Sequence, residues 1–263
     1  MRGERLVGRR VLVMGGSAGI GRVVGQTLCA AGAHVAFAAR RGDLCEEAAK
    51  ESTGTAIGLS CDVTDEAQCQ QVIDQTVDGL GGLDDLVYST GLISIIALAD
   101  ADADVWRRTL GTNVIGAALL TRAALPHLRR SGGTAVYLSS VSSTGGPWPG
   151  IGVYTASKAA LNRMIETWRS EHPELGFTRI LVGPTDAAAT GAEYHPGAGP
   201  HMARHAAMGT TSGVLSPPTA IATAVMLALD EESRIWDISV QPKDPPLPWT
   251  NVFPADDAAL EAQ

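Results

Sequence analysis

The fold class that the sequence predicts is α/β, a doubly wound parallel sheet of seven strands with helices on both faces. Two observations predict it. Short β-branched runs alternate with longer segments of helical period along residues 1–183, as is typical of a parallel sheet with crossover helices. No linker or internal repeat interrupts these residues, so we expect one continuous domain. The expected strand order is 3-2-1-4-5-6-7.

The individual strands are predicted where short apolar runs lie between turn residues. In chain order they are Arg10–Met14, His34–Ala39, Thr55–Ser60, Asp85–Ser89, Thr134–Ser139, Phe177–Val182 and Arg234–Val240. Helices are predicted where longer segments repeat their apolar residues every three or four positions. They are Val23–Ala31, Asp43–Ser52, a helix that starts at Thr64, Val105–Leu128, Val153–Glu171, and one from Pro217 and Pro218 to Leu229. Asp65 and Glu66 favour the start at Thr64, because acidic side chains stabilise a helix N-terminus.

The domain organisation follows from a change in composition late in the chain. Residues 1–241 are predicted to form a single domain with an insert near 186–216, where Ala, Gly, His and Met are frequent and no period is clear. Such an insert is typical of a lid or binding loop. Residues 242–263 are rich in proline, which prevents regular structure. This tail is either an extended end or an arm that docks Trp249 and Phe253 on a neighbouring subunit.

Composition excludes several classes of partner. The 263 residues include 20 Lys and Arg against 28 Asp and Glu, a net charge of -8, so nucleic acid and anionic membranes are poor partners. The longest strongly apolar stretch, Leu86–Ala99, is short and interrupted, and therefore predicts neither a membrane span nor a signal peptide. The four cysteines form no Cys-x-x-Cys pair, which favours reduced thiols and a cytoplasmic location.

A glycine-rich turn directly follows the first predicted strand and opens the first helix. Its residues are Gly15, Gly16, Ser17, Ala18, Gly19, Ile20 and Gly21. Glycines let the backbone approach a pyrophosphate, and the helix N-terminus directs free N–H groups and a positive dipole at its charge. This context predicts a Rossmann-type dinucleotide site. The alternative is that the glycines serve only close strand-to-helix packing.

The end of the second strand indicates which dinucleotide is bound. An NAD site would have an acidic residue there, but the chain has Arg40 and Arg41 instead. A guanidinium can bind a 2′-phosphate, so this pair favours NADP(H), unless both arginines are simply solvated. Asp62 and Val63 follow the third strand, where Asp62 either accepts a hydrogen bond from the adenine amino group or is a turn residue.

Tyr154 and Lys158 are four residues apart at the start of a predicted helix, so they share one face. A free tyrosine titrates near 10, and an ammonium about 4 Å away would favour the phenolate by roughly 4 kcal/mol. Tyr154 is therefore a candidate general acid and base. Ser140, with Ser139 before it, closes the fifth strand at the sheet edge where ligands bind. Asn113 lies inside a predicted helix that it does not favour, so it either holds a water or bonds locally.

These motifs together resemble the short-chain dehydrogenase/reductase family, in its branch of single-domain enzymes of roughly 250 residues. The matching residues extend from residue 10 to about 185 and include the glycine turn, Asp62, Thr112-Asn113, Ser140, Tyr154-x-x-x-Lys158 and Ala159-Ala160-Leu161. The resemblance implies that Tyr154 transfers the proton and Ser140 orients the carbonyl. It also implies that Lys158 binds the nicotinamide ribose and that Asn113 anchors a water. Gly91, Pro184 and Thr185 are expected along the cofactor.

Several positions depart from the family pattern. Met14 replaces the usual Thr before the glycine turn, and Tyr88-Ser89-Thr90-Gly91 stands where Asn-Asn-Ala-Gly is common. The bracing of the central strand is therefore expected to differ. Gly183-Pro184-Thr185 replaces the frequent Pro-Gly, so either Thr185 or Thr190 would meet the carboxamide. The proline-rich tail replaces the usual glycine-rich ending.

The substrate is expected to be an apolar or cyclic carbonyl or alcohol, since mostly apolar residues are predicted to line its pocket. These residues are Leu92–Ile96, Ser142, Trp148, Tyr194, His195, His201 and Met202. His201 and His205 have metal-pair spacing, but no further ligand accompanies them and no metal is expected. The predicted function is an NADP(H)-dependent carbonyl reductase or alcohol dehydrogenase, and the resemblance suggests a homodimer or homotetramer. Alternatives are a cofactor-binding sensor of the same fold and a dehydratase or epimerase.

Overall fold

A computed structural model describes residues 4–145, 149–186, 192–195, 199, 215–230 and 233–243 of the chain. Its strands are β1 Arg10–Met14, β2 His34–Ala39, β3 Ala56–Ser60, β4 Asp85–Tyr88, β5 Ile93–Ile95, β6 Thr134–Ser140, β7 Gly176–Val182, β8 Ala192–Tyr194 and β9 Asp237–Val240. Its helices are α1 Gly19–Ala30, α2 Gly42–Glu51, α3 Glu66–Leu80, α4 Ala103–Leu110, α5 Gly116–Ser131, α6 Gly152–Glu171 and α7 Pro218–Asp230.

The main sheet has seven parallel strands in the order β3-β2-β1-β4-β6-β7-β9. Numbered along the chain without β5 and β8, these strands have the order 3-2-1-4-5-6-7, so the predicted topology is confirmed. Parallel strands bring all their carboxyl ends to one edge of the sheet. The glycine turn after β1 and the serines at the end of β6 therefore lie at the same edge.

Both faces of the sheet are buried under helices, as the predicted fold class requires. Leu12 and Met14 of β1 face a core formed with α3, α5 and α6, whereas Val11 and Val13 face a second core formed with α1, α2 and α7. Side chains alternate between the two faces of a strand, which explains this division. Among the described helices, none combines the length and apolar character needed to cross a membrane.

The predicted helix Val105–Leu128 is wrong as a single α-helix. The chain forms α4, then a π-helical turn at Gly111–Ile115, then α5. Asp102 is the N-cap of α4 and accepts hydrogen bonds from the N–H groups of Asp104 and Val105. Because of this cap, the helix begins two residues earlier than predicted. The π turn brings Asn113 into the interior, where it is completely buried.

Other boundaries also differ from the prediction. The first helix begins at Gly19, within the glycine turn, and the third begins at Glu66 because Asp65 is its N-cap. The last strand begins at Asp237. A two-stranded sheet of β5 and β8 was not predicted. β8 lies within the proposed insert near 186–216, most of which falls outside the described residues, as does the tail from residue 244 onward.

The amino end of the sheet is closed by charged pairs. Arg9 contacts the carboxylate of Asp85 with two nitrogens, at 2.9 and 2.7 Å, and Thr134 N donates to the same carboxylate at 2.8 Å. Arg10 and Asp84 form a second paired contact beside it. The Asp85 side chain is 1% exposed. These contacts connect β1, β4 and β6 at their starts.

Candidate active site

The glycine turn after β1 packs tightly against the protein backbone. Gly15 has a φ of +96°, and a Cβ atom there would lie 2.9 Å from the backbone of Ser89 and of Thr90. A Cβ atom on Gly21 would lie 2.2 Å from the carbonyl oxygen of Gly15. Side chains at these two positions are therefore excluded by packing alone. Ser17 is buried on this turn, and Ile20 packs on the core beneath it.

The N-terminus of α1 supplies the stronger indication of an anion site. Its N-cap is Ala18, which has no side-chain acceptor, and its first turn contains no acidic residue. In α3 and α4, by contrast, Asp65 and Asp102 each accept hydrogen bonds from two first-turn N–H groups. The first-turn N–H groups and positive dipole end of α1 thus lack that compensation. They fit the diphosphate of a dinucleotide.

The two arginines after β2 differ in their contacts. Arg41 Nη2 lies 3.3 Å from the hydroxyl of Ser17 in the glycine turn. Arg40 is exposed, and its carbonyl accepts a hydrogen bond from Ser60 at 3.4 Å. The structure therefore brings Arg41, rather than Arg40, together with the glycine turn.

Asp62 has a turn role in the structure. Its Oδ1 accepts hydrogen bonds from the N–H and the hydroxyl of Thr64, at 2.9 and 2.7 Å. Val63 is 4% exposed and packs close to Gly116, where a Cβ atom would lie 2.7 Å from a Val63 methyl group. The predicted contact with adenine would use the second carboxylate oxygen of Asp62. It stays a prediction.

Three predicted catalytic residues meet where β6 ends beside the first turns of α6. Ser140 is the last residue of β6, and its side chain is close enough to the Tyr154 phenol to act on the pKa of that phenol. Lys158 Nζ lies 5.8 Å from the centre of the Tyr154 ring. The same Nζ donates to the carbonyl of Leu138 at 2.8 Å, and Lys158 is 3% exposed. Gly91 lies against this group, since a Cβ atom there would be 3.5 Å from Lys158 Nζ.

Burial dominates the electrostatics of the pair. It raises the pKa of Tyr154 to about 12, and the hydrogen bond with Ser140 opposes this rise. Burial also lowers the pKa of Lys158 to about 8, because a low dielectric disfavours the ammonium. The expected lowering of the Tyr154 pKa by Lys158 alone is therefore not found.

Asn113 is held by protein groups. Its Nδ2 donates to the carbonyl of Leu92 at 3.0 Å and to the hydroxyl of Ser157 at 2.8 Å, and its Oδ1 accepts from Leu92 N at 2.8 Å. Ser157 in turn donates to the carbonyl of Tyr154 at 2.6 Å. Asn113 thus ties the loop after β4 to the helix that carries Tyr154. Its predicted water-anchoring role stays a prediction.

Two of the departures from the family pattern make contacts of their own. Tyr88 is fully buried, and its hydroxyl donates to the carbonyl of Thr112 in the π turn at 2.6 Å. It braces the central strand where the family has asparagine. After β7, the carbonyl of Pro184 accepts from Ser216 N at 2.9 Å, and Thr185 donates to the carbonyl of Gly183 at 2.9 Å. Thr190, the other candidate for the carboxamide, lies outside the described residues.

Asn162 was missed by the sequence reasoning. Its Oδ1 accepts from the hydroxyl of Ser139 at 2.6 Å, and its Nδ2 donates to the hydroxyl of Ser143 at 2.8 Å. The two serines flank Ser140, so Asn162 ties this turn to α6. A polar residue one helical turn after Lys158, on the buried face of α6, was the available signal.

The chain after β4 leads into a small sheet of β5 and β8. β5 and β8 pair in parallel, with Ile93 opposite Ala192 and Ile95 opposite Tyr194. A cavity of about 460 Å³ lies next to them and is lined by Ile96, Asp100, Asp102, Asp104, Val105, Arg108 and His195. Neither Ser140, Tyr154 nor Lys158 lines this cavity, so the apolar substrate pocket stays a prediction. Trp148, His201, Met202 and His205 fall outside the described residues.

Comparisons with known proteins identify the family. The family model described as short chain dehydrogenase matches residues 9–194. The chain belongs to this family. Its Rossmann-like fold agrees with solved members of the family. The short-chain dehydrogenase from Streptomyces avermitilis has a TM-score of 0.79 at 27% identity, with 88% of each chain covered.

Curated relatives of this short-chain dehydrogenase include 11-beta-hydroxysteroid dehydrogenase A of Sesamum indicum, 34% identical over 73% of this chain and 57% of the relative. The protein of the same name from Arachis hypogaea is 36% identical over 71% of this chain and 55% of that relative. The chain thus spans little more than half the length of these two relatives. An alcohol dehydrogenase from Thermococcus sibiricus, solved with 5-hydroxy-NADP, has a TM-score of 0.78 at 22% identity, covering 91% of this chain and 99% of that one, and shows the shared fold.

Proposed function

We propose that this short-chain dehydrogenase interconverts a carbonyl and an alcohol with NADP(H), using Tyr154 as general acid and base. The observation that carries the proposal is the convergence of Ser140, Tyr154 and Lys158 at the sheet edge that also holds the α1 N-terminus. A dinucleotide with its diphosphate at that terminus would extend along the carboxyl edge toward these side chains.

The preference for NADP(H) is supported by Arg41. Its guanidinium reaches Ser17 of the glycine turn, and a guanidinium with a neighbouring hydroxyl suits the 2′-phosphate of the adenosine ribose. The end of β2 has no acidic side chain to bind a free ribose hydroxyl. Asp62 and Val63 would lie beside the adenine, and Gly91, Pro184 and Thr185 along the nicotinamide half.

The side chains supply binding, orientation and proton transfer. When bound, the nicotinamide supplies or accepts the hydride. Ser140 donates a hydrogen bond to the substrate oxygen, and Tyr154 gives its phenolic proton to that oxygen in reduction or removes it in oxidation. The Lys158 ammonium and the charge of the oxidised nicotinamide both favour the phenolate, against the burial that raises the pKa of Tyr154.

The proposed substrate is an apolar, cyclic carbonyl or alcohol. Ile95 and Ile96 are apolar and follow the loop after β4, and two relatives bear the name of hydroxysteroid dehydrogenases. We also propose a homodimer or homotetramer built from the helices near Asn113 and Tyr154, because Ile115 on the π turn is 55% exposed. The four buried, unpaired thiols support a reducing compartment such as the cytoplasm.

A substrate panel tests this function. Purified protein is mixed with NADPH or NADH and with aliphatic, aromatic, alicyclic and steroid ketones, and the loss of absorbance at the reduced-nicotinamide band is followed. The alcohols are tested with the oxidised cofactors. We expect turnover of at least one cyclic ketone with NADPH and far less with NADH. Turnover of no carbonyl or alcohol, with tight NADPH binding, would instead indicate a sensor.

A further inference from the structure

The hydroxyl of Ser140 makes two contacts with one neighbour, Ser142. Ser142 N donates to Ser140 Oγ at 3.2 Å, and Ser142 Oγ lies 2.9 Å from the same atom. Ser142 is 3% exposed and follows Ser140 in the short helical turn Val141–Ser143. Both contacts are therefore shielded from competing water.

A serine hydroxyl has one proton and two acceptor lone pairs, which limits how this contact is oriented. The Ser142 N–H occupies one lone pair of Ser140. If Ser140 gave its proton to Ser142, it would have none for a substrate oxygen. If Ser142 gives its proton to Ser140, both lone pairs of Ser140 are filled. The Ser140 proton must then point away from Ser142 and is free for a substrate oxygen.

We propose that Ser142 is a positioning residue that donates its hydroxyl proton to Ser140 and so directs the Ser140 proton toward the substrate oxygen. This inference rests on the proposed carbonyl–alcohol chemistry, in which Ser140 must be a donor. In this inference Ser142 orients the hydroxyl of Ser140, whereas the sequence suggested only that Ser142 lines the substrate pocket. The Asn162 contacts hold the same turn in position but reach Ser139 and Ser143 instead of the Ser140 hydroxyl.

A double-mutant cycle tests the proposal. We expect Ser142→Ala to lower kcat/KM for the best panel substrate about tenfold, mainly through kcat, because the misdirected Ser140 proton weakens transition-state binding. In a Ser140→Ala background, the same change should lower kcat/KM by less than about twofold. Multiplicative losses in the double variant would show that Ser142 acts independently of Ser140, and would overturn the proposal.

Two further variants separate orientation from structure. Ser142→Thr retains the hydroxyl and should recover kcat to within about threefold of wild type. Thr144→Val removes a hydroxyl from the same turn that contacts the Val141 carbonyl at 3.3 Å, and should leave kcat and its pH profile unchanged. If Ser142→Thr stays as slow as Ser142→Ala while its unfolding temperature matches wild type, the donor role is wrong.

Neutron diffraction from deuterium-exchanged crystals gives a readout that needs no turnover. The expected deuteron lies on Ser142 Oγ and points at Ser140 Oγ. A deuteron on Ser140 Oγ directed at Ser142 would refute the inference even in an active enzyme. If the substrate panel gives no turnover but the deuteron lies as expected, the proposed function fails and the assigned hydrogen-bond direction stands.

Discussion

The two ends of the parallel sheet bury polar groups in opposite ways. At the amino end, Asp85 is buried but receives two nitrogens of Arg9 and the N–H of Thr134. At the carboxyl end, Lys158 is equally buried, yet its ammonium contacts the carbonyl of Leu138 and faces the Tyr154 ring, and no carboxylate among the described residues pairs with it. One end stabilises its charge with an opposite charge, and the other leaves its charge poorly compensated.

The residues expected to stabilise the fold and those proposed to carry out the chemistry therefore lie at opposite ends of the sheet. Burial raises the pKa of Asp85, while the Arg9 charge and its hydrogen bonds oppose that rise, so this paired carboxylate serves to fix the strands. Burial disfavours the ammonium form of Lys158 and lowers its pKa to about 8. The protonation of this amine therefore responds to the charge of a nearby ligand. We expect substitutions at the amino end to change unfolding and those at the carboxyl end to change turnover.

The largest expected effect is on turnover. Tyr154→Phe keeps the ring and removes the proton donor, so we expect kcat to fall by roughly 10³-fold or more. The dissociation constant of NADPH, measured by fluorescence titration, should stay within about twofold of wild type, as expected if only the proton donor is lost. Retained turnover in this variant would show that another group transfers the proton.

The largest expected effect on stability is at the amino end. Arg9→Met leaves the buried Asp85 carboxylate without its main partner, and should lower the free energy of unfolding by about 3 kcal/mol. Urea denaturation followed by circular dichroism measures it. Arg107→Met breaks an exposed pair with Asp104, whose two side chains are 74% and 78% exposed, and serves as the matched control, with a change below about 0.5 kcal/mol. A loss of kcat/KM at permissive temperature in Arg9→Met would contradict the separation of the two ends.

At the carboxyl end, removing the charge should stabilise the protein. The unfolded chain keeps a proton on Lys158 up to about pH 10.5, whereas the folded protein releases it above about pH 8. The unfolded state therefore binds more protons between these values, and the free energy of unfolding rises with pH in that window. Lys158→Met removes this burial penalty and one hydrogen bond, a net gain of about 2 kcal/mol at pH 7.

The check is the pH dependence of urea midpoints for wild type and Lys158→Met. Their difference in stability should shrink as pH rises from 8 toward 10.5, because the wild-type amine is then neutral when folded. Turnover should be lost in the same variant, so stability and activity change in opposite directions. A destabilised Lys158→Met with an unchanged pH profile would mean that the amine is compensated after all.

The smallest expected effect concerns cofactor choice. Arg41→Ala should raise the dissociation constant of NADPH about tenfold and that of NADH less than twofold, because only NADPH has the 2′-phosphate. Arg40→Ala is the matched control. Arg40 is also exposed, but the side chain that contacts the Ser17 hydroxyl is that of Arg41. Equal weakening of both cofactors by Arg41→Ala would remove the basis for an NADP(H) preference.

The main sheet could be predicted because its strands are encoded locally. β1 and β2 have the predicted bounds, since each is an apolar run between turn residues and is buried on both faces. The strands β5 and β8 have three residues each, too few to show a period, and they pair across about 100 residues of chain. Their pairing depends on tertiary structure that local patterns do not contain.

The candidate site likewise has features that local sequence patterns predict and features that depend on tertiary structure. Ser140, Tyr154 and Lys158 could be predicted because the i, i+4 spacing and the end of β6 bring them together. The direction of the Tyr154 pKa could not, because it depends on burial by distant segments. The π turn at Asn113 could not be predicted either. For Asn162 the sequence offered its position one helical turn after Lys158, but not its partners Ser139 and Ser143, which lie on another element.

The pairing of β5 with β8 has a consequence for how this enzyme can change over evolution. Main-chain hydrogen bonds hold these strands together, and such bonds are indifferent to which side chains the strands carry. Ala192–Tyr194 can therefore vary in sequence while the backbone keeps its register with β5. A library randomised at these three positions is a practical starting point for testing how far their side chains influence the proposed substrate choice.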